Sequence, residues 1–168
     1  IANTCLAAKG YEVGKSLIED SMLEEAKELV ANPKIIIPES VIVSISADEP
    51  GRITSANSIQ ENEAIFDIAP ASFVDLEPII MNAGTILWNG PLGFFEKENF
   101  FAGTAMMAEM IISSKGFSVA GGGDTISAAE KAGVLDSLDY VSTAGGAFLE
   151  FMEGKKLPAL EALIDKVN

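Results

Sequence analysis

Between residues 84 and 152, short apolar segments alternate with segments of helical periodicity, and glycine-rich turns join them. The apolar segments at 84–88, 117–120 and 140–142 are typical of buried strands. Helical patterns at 100–113 and 125–132 lie between one strand and the next. Parallel strands need such crossover helices, which pack on the faces of the sheet. This alternation predicts an α/β fold built on a parallel sheet.

The rest of the chain carries the same two patterns less regularly. Ser21 and Glu24 fit a capping box at the start of a helical segment. Pro78 predicts a kink or a boundary within another helical segment. The further predicted elements are helices at 1–10, 21–32, 73–81, 146–152 and 157–167, strands at 34–37 and 41–45, and a strand or two with loops over 46–63. We therefore expect one α/β domain with a three-layer parallel sheet and helices on both faces, Rossmann-like in architecture.

The chain of 168 residues carries a net charge of −14, from 25 acidic and 11 basic residues. Nucleic acids and anionic membranes bind surfaces on which lysine and arginine cluster, so this charge argues against both. An anionic ligand would have to be held by backbone N–H groups, helix N-termini and a cation. Because the chain has one cysteine and no histidine, a metal ion would need oxygen ligands, which favours Mg²⁺ or Ca²⁺.

The cellular location is constrained by what the sequence lacks. No apolar run approaches the roughly 18 residues that span a bilayer, and no leader with a basic and an apolar region is present. The single cysteine, Cys5, has no internal disulfide partner and suits a reducing compartment. We therefore expect a cytoplasmic protein. The opening at Ile1, without methionine, predicts a fragment or a processed piece.

Three turns of unusual composition follow the predicted strands: WNGPLGFFE at 88–96, AGGGDT at 120–125 and STAGGA at 142–147. Parallel sheets bind ligands at the carboxyl ends of their strands, where such turns gather. Glycine lets a ligand approach the backbone, and helix N-termini offer unpaired N–H groups to an anion. A single glycine-rich turn is more often structural, but three at one edge of a sheet favour a nucleotide-binding site.

Asp124 and Thr125 stand where the helix after AGGGDT is predicted to begin. Two interpretations of Asp124 are open: it caps the helix, or its carboxylate holds a Mg²⁺ ion that accompanies phosphate. Thr125 offers a hydroxyl that can donate to a phosphate oxygen. Two common nucleotide motifs are excluded, because no G-x-x-x-x-G-K-[ST] string occurs and the G-x-G-x-x-G pattern fails at Ile126.

Long motifs connect the chain with a known family. WNGPLGFFE, AGGGDTISAAEKAG and VSTAGGAFLEFMEGKKLPAL resemble the phosphoglycerate kinase family in the same order and at similar spacing. The opening IANTCLAAKGYEVGKSLIED is also similar to that family. The resemblance runs from Ile1 to about Leu160 and is weakest between residues 46 and 63. It implies that residues 1–168 form the carboxy-terminal, nucleotide-binding domain of such an enzyme, incomplete because its first strand is missing.

The resemblance also implies an activity. Phosphoglycerate kinases transfer a phosphoryl group between 1,3-bisphosphoglycerate and ADP, giving 3-phosphoglycerate and MgATP in glycolysis, with a carboxyl group as acceptor. ADP or ATP with Mg²⁺ is therefore implied as the ligand here. The basic cluster that holds the phosphoglycerate lies in the family's amino-terminal domain, and neither that domain nor the phosphate-binding lysine of the first strand and turn is in this sequence. We expect the fragment to be inactive alone and the intact enzyme to be a monomer.

The family's site residues carry over position by position. On the nucleoside side, Glu96 is implied to bind the ribose hydroxyls, Asn89 to lie near the phosphates, and Pro91 with Phe94 to line the adenosine pocket. On the phosphate side the implied contacts are the backbone of Gly122 and Gly123, the Mg²⁺-linked carboxylate of Asp124 and the hydroxyl of Thr125. Phe94 departs from the family, which usually has a smaller aliphatic residue there.

Gly145 and Gly146 match the helix N-terminus that faces the transferring phosphoryl group, and they are the implied catalytic positions. Ala144 stands where the family normally has the first of three glycines, so its methyl group is a cost if that position needs a positive φ.

Two other functions stay open. One is a non-catalytic nucleotide-binding or interaction module; the other, weaker one is a dinucleotide-dependent oxidoreductase, against which the broken G-x-G-x-x-G pattern counts.

Overall fold

A computed structural model describes residues 1–164. The helices in this range are α1 (Ala2–Ala8), α2 (Leu23–Ala31), α3 (Glu77–Met81), α4 (Ala102–Ser113), α5 (Gly123–Lys131), α6 (Gly146–Met152) and α7 (Pro158–Ile164). The strands are β1 (Ser40–Ser44), β2 (Arg52–Ser55), β3 (Ala64–Ile68), β4 (Thr85–Trp88), β5 (Phe117–Gly121) and β6 (Tyr140–Ser142). The chain divides into two compact units. Unit 1 comprises Ile1–Ile79 and Leu92–Met107, and unit 2 comprises Ile80–Pro91 and the residues from Ala108 onward.

Unit 1 is built on an antiparallel sheet with the strand order β2–β1–β3. Val41 and Val43 of β1 are fully buried and form a core with Leu6 of α1. The neighbours β1 and β2 are antiparallel because only residues 45–51 join them, without the crossover helix that a parallel pair needs. The sequence predicted strands here but only parallel pairing, so this sheet adds to the predicted architecture.

The ladder between β1 and β3 contains one irregularity. Ile42 pairs with Asp67 and Val43 pairs with Ile65, which leaves Phe66 without a partner on β1. An extra residue of this kind is a β-bulge, and bulges re-aim the backbone groups and side chains next to them. The main chain around Phe66 and Asp67 is therefore free to bond with other parts of unit 1.

Two local predictions in unit 1 are wrong. Residues 34–37 form no strand, because Ile35 and Ile36 are 40% and 46% exposed and only Ile37 packs against the core. The capping box is absent as well. A short 3₁₀ turn precedes α2, and the hydroxyl of Ser21 donates to Glu19 at 2.6 Å instead of to the helix.

Unit 2 is built on the predicted parallel sheet, with the strand order β4–β5–β6. Trp88 pairs with Ala120, and Gly121 pairs with Ser142, so the three strands end side by side. Ala128 and Ala129 of α5 are fully buried, as expected of a helix whose small side chains lie against a sheet. The α/β fold class is therefore confirmed, with a parallel sheet of three strands flanked by helices.

Pro78 and Pro158 both lie in the first turn of a helix. Pro78 is the second residue of α3 and Pro158 is the first residue of α7, positions whose N–H groups have no partner within a helix. The predicted last helix extends to residue 167, but 165–167 lie outside the described residues. Up to residue 164, none of the helices combines the length and apolarity that crossing a membrane requires.

Candidate functional site

The three glycine-rich turns leave the carboxyl ends of neighbouring strands in unit 2. The first follows β4, the second joins β5 to α5, and the third joins β6 to α6. The sequence prediction that these turns gather at one edge of a parallel sheet is confirmed. This edge is where doubly wound sheets hold their ligands.

Hydrogen bonds tie the first turn to the second. Asn89 Nδ2 donates to the carbonyl oxygen of Gly121 at 2.7 Å, and the N–H of Gly90 donates to Thr125 Oγ1 at 2.7 Å. The indole N–H of Trp88 donates to the carbonyl oxygen of Gly90 at 2.9 Å. The two turns are therefore held together by side chains that the sequence predicted to belong to the site.

Thr125 has a structural role that the sequence did not indicate. Its side chain is 1% exposed, and its oxygen accepts the N–H of Gly90. The hydroxyl thus connects the start of α5 to the turn after β4. The predicted contact of Thr125 with phosphate stays a prediction.

The second turn brings unpaired N–H groups to the start of α5. Gly122 is the N-cap residue with φ of +96°, and the first bond of the helix runs from the N–H of Ile126 to the carbonyl of Gly122 at 3.0 Å. The N–H groups of Gly123, Asp124 and Thr125 lie before that bond, outside the helix's own ladder. Such a helix start attracts an anion through these groups and through the helix dipole.

Asp124 lies within the first turn of α5 and not at its cap. The N-cap is Gly122, and no side chain caps the helix. The capping interpretation of Asp124 is therefore wrong. The residue is exposed, and its carboxylate makes no hydrogen bond or ion pair with any residue from 1 to 164.

A single exposed carboxylate beside a helix N-terminus, as at Asp124, suits a metal ion that takes most of its ligands from elsewhere. Up to residue 164 there is no group of three or more acidic, cysteine or histidine residues that could hold a metal on its own. Mg²⁺ usually takes one or two protein carboxylates and completes its shell with water and substrate phosphates. The donor set here therefore fits an ion shared with a phosphate ligand, and not a metal held by protein groups alone.

The third turn has open space around its two glycines. Gly145 is the N-cap of α6 with φ of +56°, and a Cβ added at Gly145 or Gly146 would meet no atom within 4 Å. Ala144 has no positive φ, so its methyl group causes no backbone strain there.

Gly121, the last residue of β5, has a role that the sequence did not indicate: a Cβ on it would lie 2.4 Å from the ring of Phe148 in α6. Its absent side chain is what lets that ring approach the end of β5.

Phe94 and Glu96 belong to unit 1. The N–H of Phe94 donates to the carbonyl of Phe66 at 2.7 Å, and the Phe94 ring, 37% exposed, stacks on the Phe66 ring with centroids 6.3 Å apart. The N–H of Lys97 donates to the carbonyl of Phe94 at 3.0 Å, which closes a turn around Glu96. The exposed carboxylate of Glu96 has no partner among the described residues and can accept hydrogen bonds from hydroxyl groups.

Asp67, on the bulged strand β3, is a buried carboxylate that the sequence analysis missed. Its side chain is 1% exposed, and its oxygens accept the N–H groups of Gly103 and Ile68, each at 2.8 Å. Burial raises the pKa of Asp67 to about 6, against the opposing effect of those two bonds. A single acidic residue in the apolar run AIFDI was the signal that could have found it.

Replacing Gly122 is expected to damage the second turn, whereas replacing its neighbour is not. An alanine at 122 would hold a φ that L-residues avoid, with its Cβ 3.1 Å from Asn89 Nδ2, so Gly122→Ala should lower the free energy of unfolding by about 1–3 kcal/mol. Gly123→Ala is the matched control, because a Cβ there meets nothing within 4 Å and the position is helical. Its effect should stay below about 1 kcal/mol. Urea unfolding followed by Trp88 fluorescence measures both, and equal effects would contradict this account of the turn.

Comparison with known proteins gives consistent results. The family model for phosphoglycerate kinase matches residues 1–155. The solved phosphoglycerate kinase from Coxiella burnetii is 44% identical with a TM-score of 0.89, over 95% of this chain and 43% of that one. The phosphoglycerate kinase from Pyrococcus horikoshii OT3 is 32% identical with a TM-score of 0.81, over 96% of this chain and 42% of that one. This chain thus spans less than half the length of either enzyme.

Proposed function

The chain belongs to the phosphoglycerate kinase family, and on that basis we propose that it supplies the MgADP and MgATP site of a phosphoglycerate kinase. The reaction is reversible phosphoryl transfer between 1,3-bisphosphoglycerate and ADP, with a carboxyl group as acceptor. The acceptor's own site lies in an amino-terminal domain outside this sequence, and the assembled enzyme is a cytoplasmic monomer.

One observation carries the proposal: the start of α5. The N–H groups of Gly123, Asp124 and Thr125 stand outside the helix ladder, next to a glycine at φ of +96° that Asn89 approaches closely. In a chain of net charge −14, phosphate has to be held by local dipoles and not by the overall field. This helix start provides such dipoles at the edge of the sheet where ligands bind.

The residues around the helix start divide the work of phosphate binding. The backbone of Gly122 and Gly123 contacts the nucleotide phosphates, and the Thr125 hydroxyl donates to a phosphate oxygen. Asp124 holds Mg²⁺, which when bound neutralises charge on the phosphate oxygens. Gly145 and Gly146 present the N-terminus of α6 to the phosphoryl group in transfer. Phosphoryl transfer asks the protein mainly for positioning and charge stabilisation, and backbone N–H groups suit both tasks.

The nucleoside contacts come from the first glycine-rich turn, WNGPLGFFE at 88–96. Glu96 accepts hydrogen bonds from the ribose hydroxyls. This role is supported by its exposed carboxylate, which has no partner among residues 1–164. Phe94 and Pro91 contact the adenosine, and the ring of Phe94 stacks on the ring of Phe66. Asn89 lies near the phosphates while its amide bonds the carbonyl of Gly121.

A hybrid enzyme tests this function. In the hybrid, residues 1–155 of the chain replace the matching segment of the Coxiella burnetii phosphoglycerate kinase. We expect it to form ADP from MgATP and 3-phosphoglycerate at a rate within about tenfold of the unaltered Coxiella enzyme. The chain and the segment it replaces are 44% identical, which makes a folded hybrid a fair expectation.

The control is the Coxiella enzyme with the matching segment removed, which should be inactive. A hybrid that folds cooperatively but neither binds MgADP in titration calorimetry nor forms ADP would refute the proposal. Binding of MgADP without any turnover would favour the second candidate, a nucleotide-binding module without activity. The short span of this chain relative to its relatives is the observation that keeps this candidate open.

A further inference from the structure

The carboxylate of Asp67 lies where three parts of unit 1 meet. It belongs to β3, it accepts the N–H of Gly103 at the start of α4, and it occupies the space that a side chain on Gly93 would fill. A Cβ on Gly93 would lie 2.3 Å from Asp67 Oδ1, and a Cβ on Gly103 would lie equally close to the same oxygen. Both positions must therefore be glycine for the carboxylate to sit as it does.

Residues 92–96, which we call the nucleotide segment, are held against β3 on one side. The N–H of Phe94 donates to the carbonyl of Phe66, and a Cβ on Gly93 would lie 2.7 Å from that same carbonyl oxygen. Phe66 is the bulged residue of β3, so its carbonyl lies outside the paired part of the ladder. The bulge and the neighbouring Asp67 thus form one docking surface for the segment.

The segment is also held by α4. The N–H of Leu92 donates to Thr104 Oγ1 at 3.1 Å, and the Thr104 hydroxyl in turn donates to the carbonyl oxygen of Leu92. Thr104 is fully buried and directly follows Gly103, whose N–H is bonded to Asp67. Asp67 therefore acts on the segment twice, directly at Gly93 and through the start of α4 at Leu92.

We propose that Asp67 is a positioning residue for nucleotide binding: by fixing Gly93 and Gly103, it sets the place of the segment that carries Phe94 and Glu96. The proposal rests on the proposed function, in which these two side chains contact adenosine and ribose. Both oxygens of the Asp67 carboxylate already accept main-chain N–H groups of unit 1, from Ile68 and Gly103. Its effect passes through the main chain of the segment.

Asp67→Asn in the hybrid enzyme tests this role. Asparagine keeps the size of the side chain but has one accepting oxygen, so one of the two N–H groups loses its partner. We expect the dissociation constant of MgADP, measured by titration calorimetry, to rise about tenfold. The KM for 3-phosphoglycerate should stay within about twofold of the unaltered hybrid. Amide hydrogen exchange of residues 92–97 should speed up by about tenfold, with exchange in β1 and β2 unchanged.

Glu63→Gln is the matched control, because Glu63 is another buried carboxylate of unit 1. Its carboxylate accepts hydrogen bonds from Nε and Nη2 of Arg52, each at 2.6 Å, and from the N–H of Gln60 at 3.0 Å. The bond from Arg52 is the main reason that the pKa of Glu63 lies below its usual value. This variant loses a comparable set of bonds without touching the nucleotide segment. It should leave both the MgADP affinity and the exchange of residues 92–97 unchanged.

Gly103→Ala provides a second route if Asp67→Asn fails to fold. The added methyl displaces the carboxylate without removing it, while alanine favours the helix. The same selective loss of MgADP affinity is expected. A folded variant that binds MgADP as tightly as the unaltered hybrid, or an equal loss in Glu63→Gln, would overturn the role of Asp67. An unaltered hybrid that folds without binding MgADP overturns the proposed function instead, and amide exchange then still decides whether Asp67 holds the segment.

Discussion

In the hybrid enzyme, Asp124→Ala is expected to lower the rate of ADP formation by about 10²–10³-fold while the protein stays folded. Asp124 has no partner within residues 1–164, so its removal breaks no bond that the fold uses. The only loss to stability is the attraction between a carboxylate and the first turn of α5, about 0.3–1 kcal/mol. Steady-state kinetics at several Mg²⁺ concentrations, with thermal unfolding of the same samples, separates the two effects.

Glu130→Ala is the control for this substitution. Glu130 is also an exposed acidic residue of α5 but lies near the opposite end of the helix. Its removal should leave the rate within about twofold of the unaltered hybrid. If Asp124→Ala instead unfolded the protein and left the activity of each folded molecule unchanged, Asp124 would serve the helix and not the metal.

The separated chain of 168 residues is expected to form ADP at a rate at least about 10⁴-fold below that of the hybrid. Phosphoryl transfer requires donor and acceptor to be held in line, and the chain by itself provides only the nucleotide part of that arrangement. Its charge of −14 also repels an anionic acceptor. The same assay, with a parallel titration of MgADP, measures both turnover and the weakened nucleotide binding.

The unaltered Coxiella enzyme and the hybrid at equal concentrations are the references for that comparison. A rate for the separated chain within about tenfold of the hybrid would mean that residues 1–168 contain an acceptor site of their own. The amino-terminal domain would then not be the source of that site. The proposed division of labour between this chain and the rest of the enzyme would be wrong.

The second half of the fold could be predicted from the sequence because its signals are local. The strand Tyr140–Ser142 and the helix Gly146–Met152 have the predicted bounds, since an apolar run, a glycine pair and a helical pattern follow one another. The same signals placed the three turns at one edge of the sheet. Parallel pairing then followed from the helices between the strands.

The first half could not be predicted as well because pairing depends on distant residues. Residues 34–37 and 41–45 are both rich in β-branched residues, yet only the second run finds partner strands. Strand propensity mostly reflects how a segment packs against neighbouring strands. The sequence of the segment alone does not show which neighbours it will have. The failed capping box has a similar cause, since Ser21 has a closer partner in Glu19.

The candidate site shows the same limit. The carboxylates of Asp124 and Glu96 lie in motifs that single them out, and both are exposed. Asp67 has no such motif, and its main partner, Gly103, lies 36 residues later in the chain. Its burial depends on glycines that α4 and the nucleotide segment contribute only after folding. A residue that acts through the backbone of distant residues has no local sequence motif that marks its role.

The chain carries its lone thiol and its lone indole in different units. Cys5 is 2% exposed in the core of unit 1, and Trp88 is 5% exposed in unit 2, beside the turn that bonds α5. Each unit therefore contains one intrinsic reporter. Labelling of the sulfur reports when unit 1 opens, and emission from the indole reports when the glycine-rich edge of unit 2 changes its surroundings. The order in which the two units unfold can therefore be followed without substituting any residue.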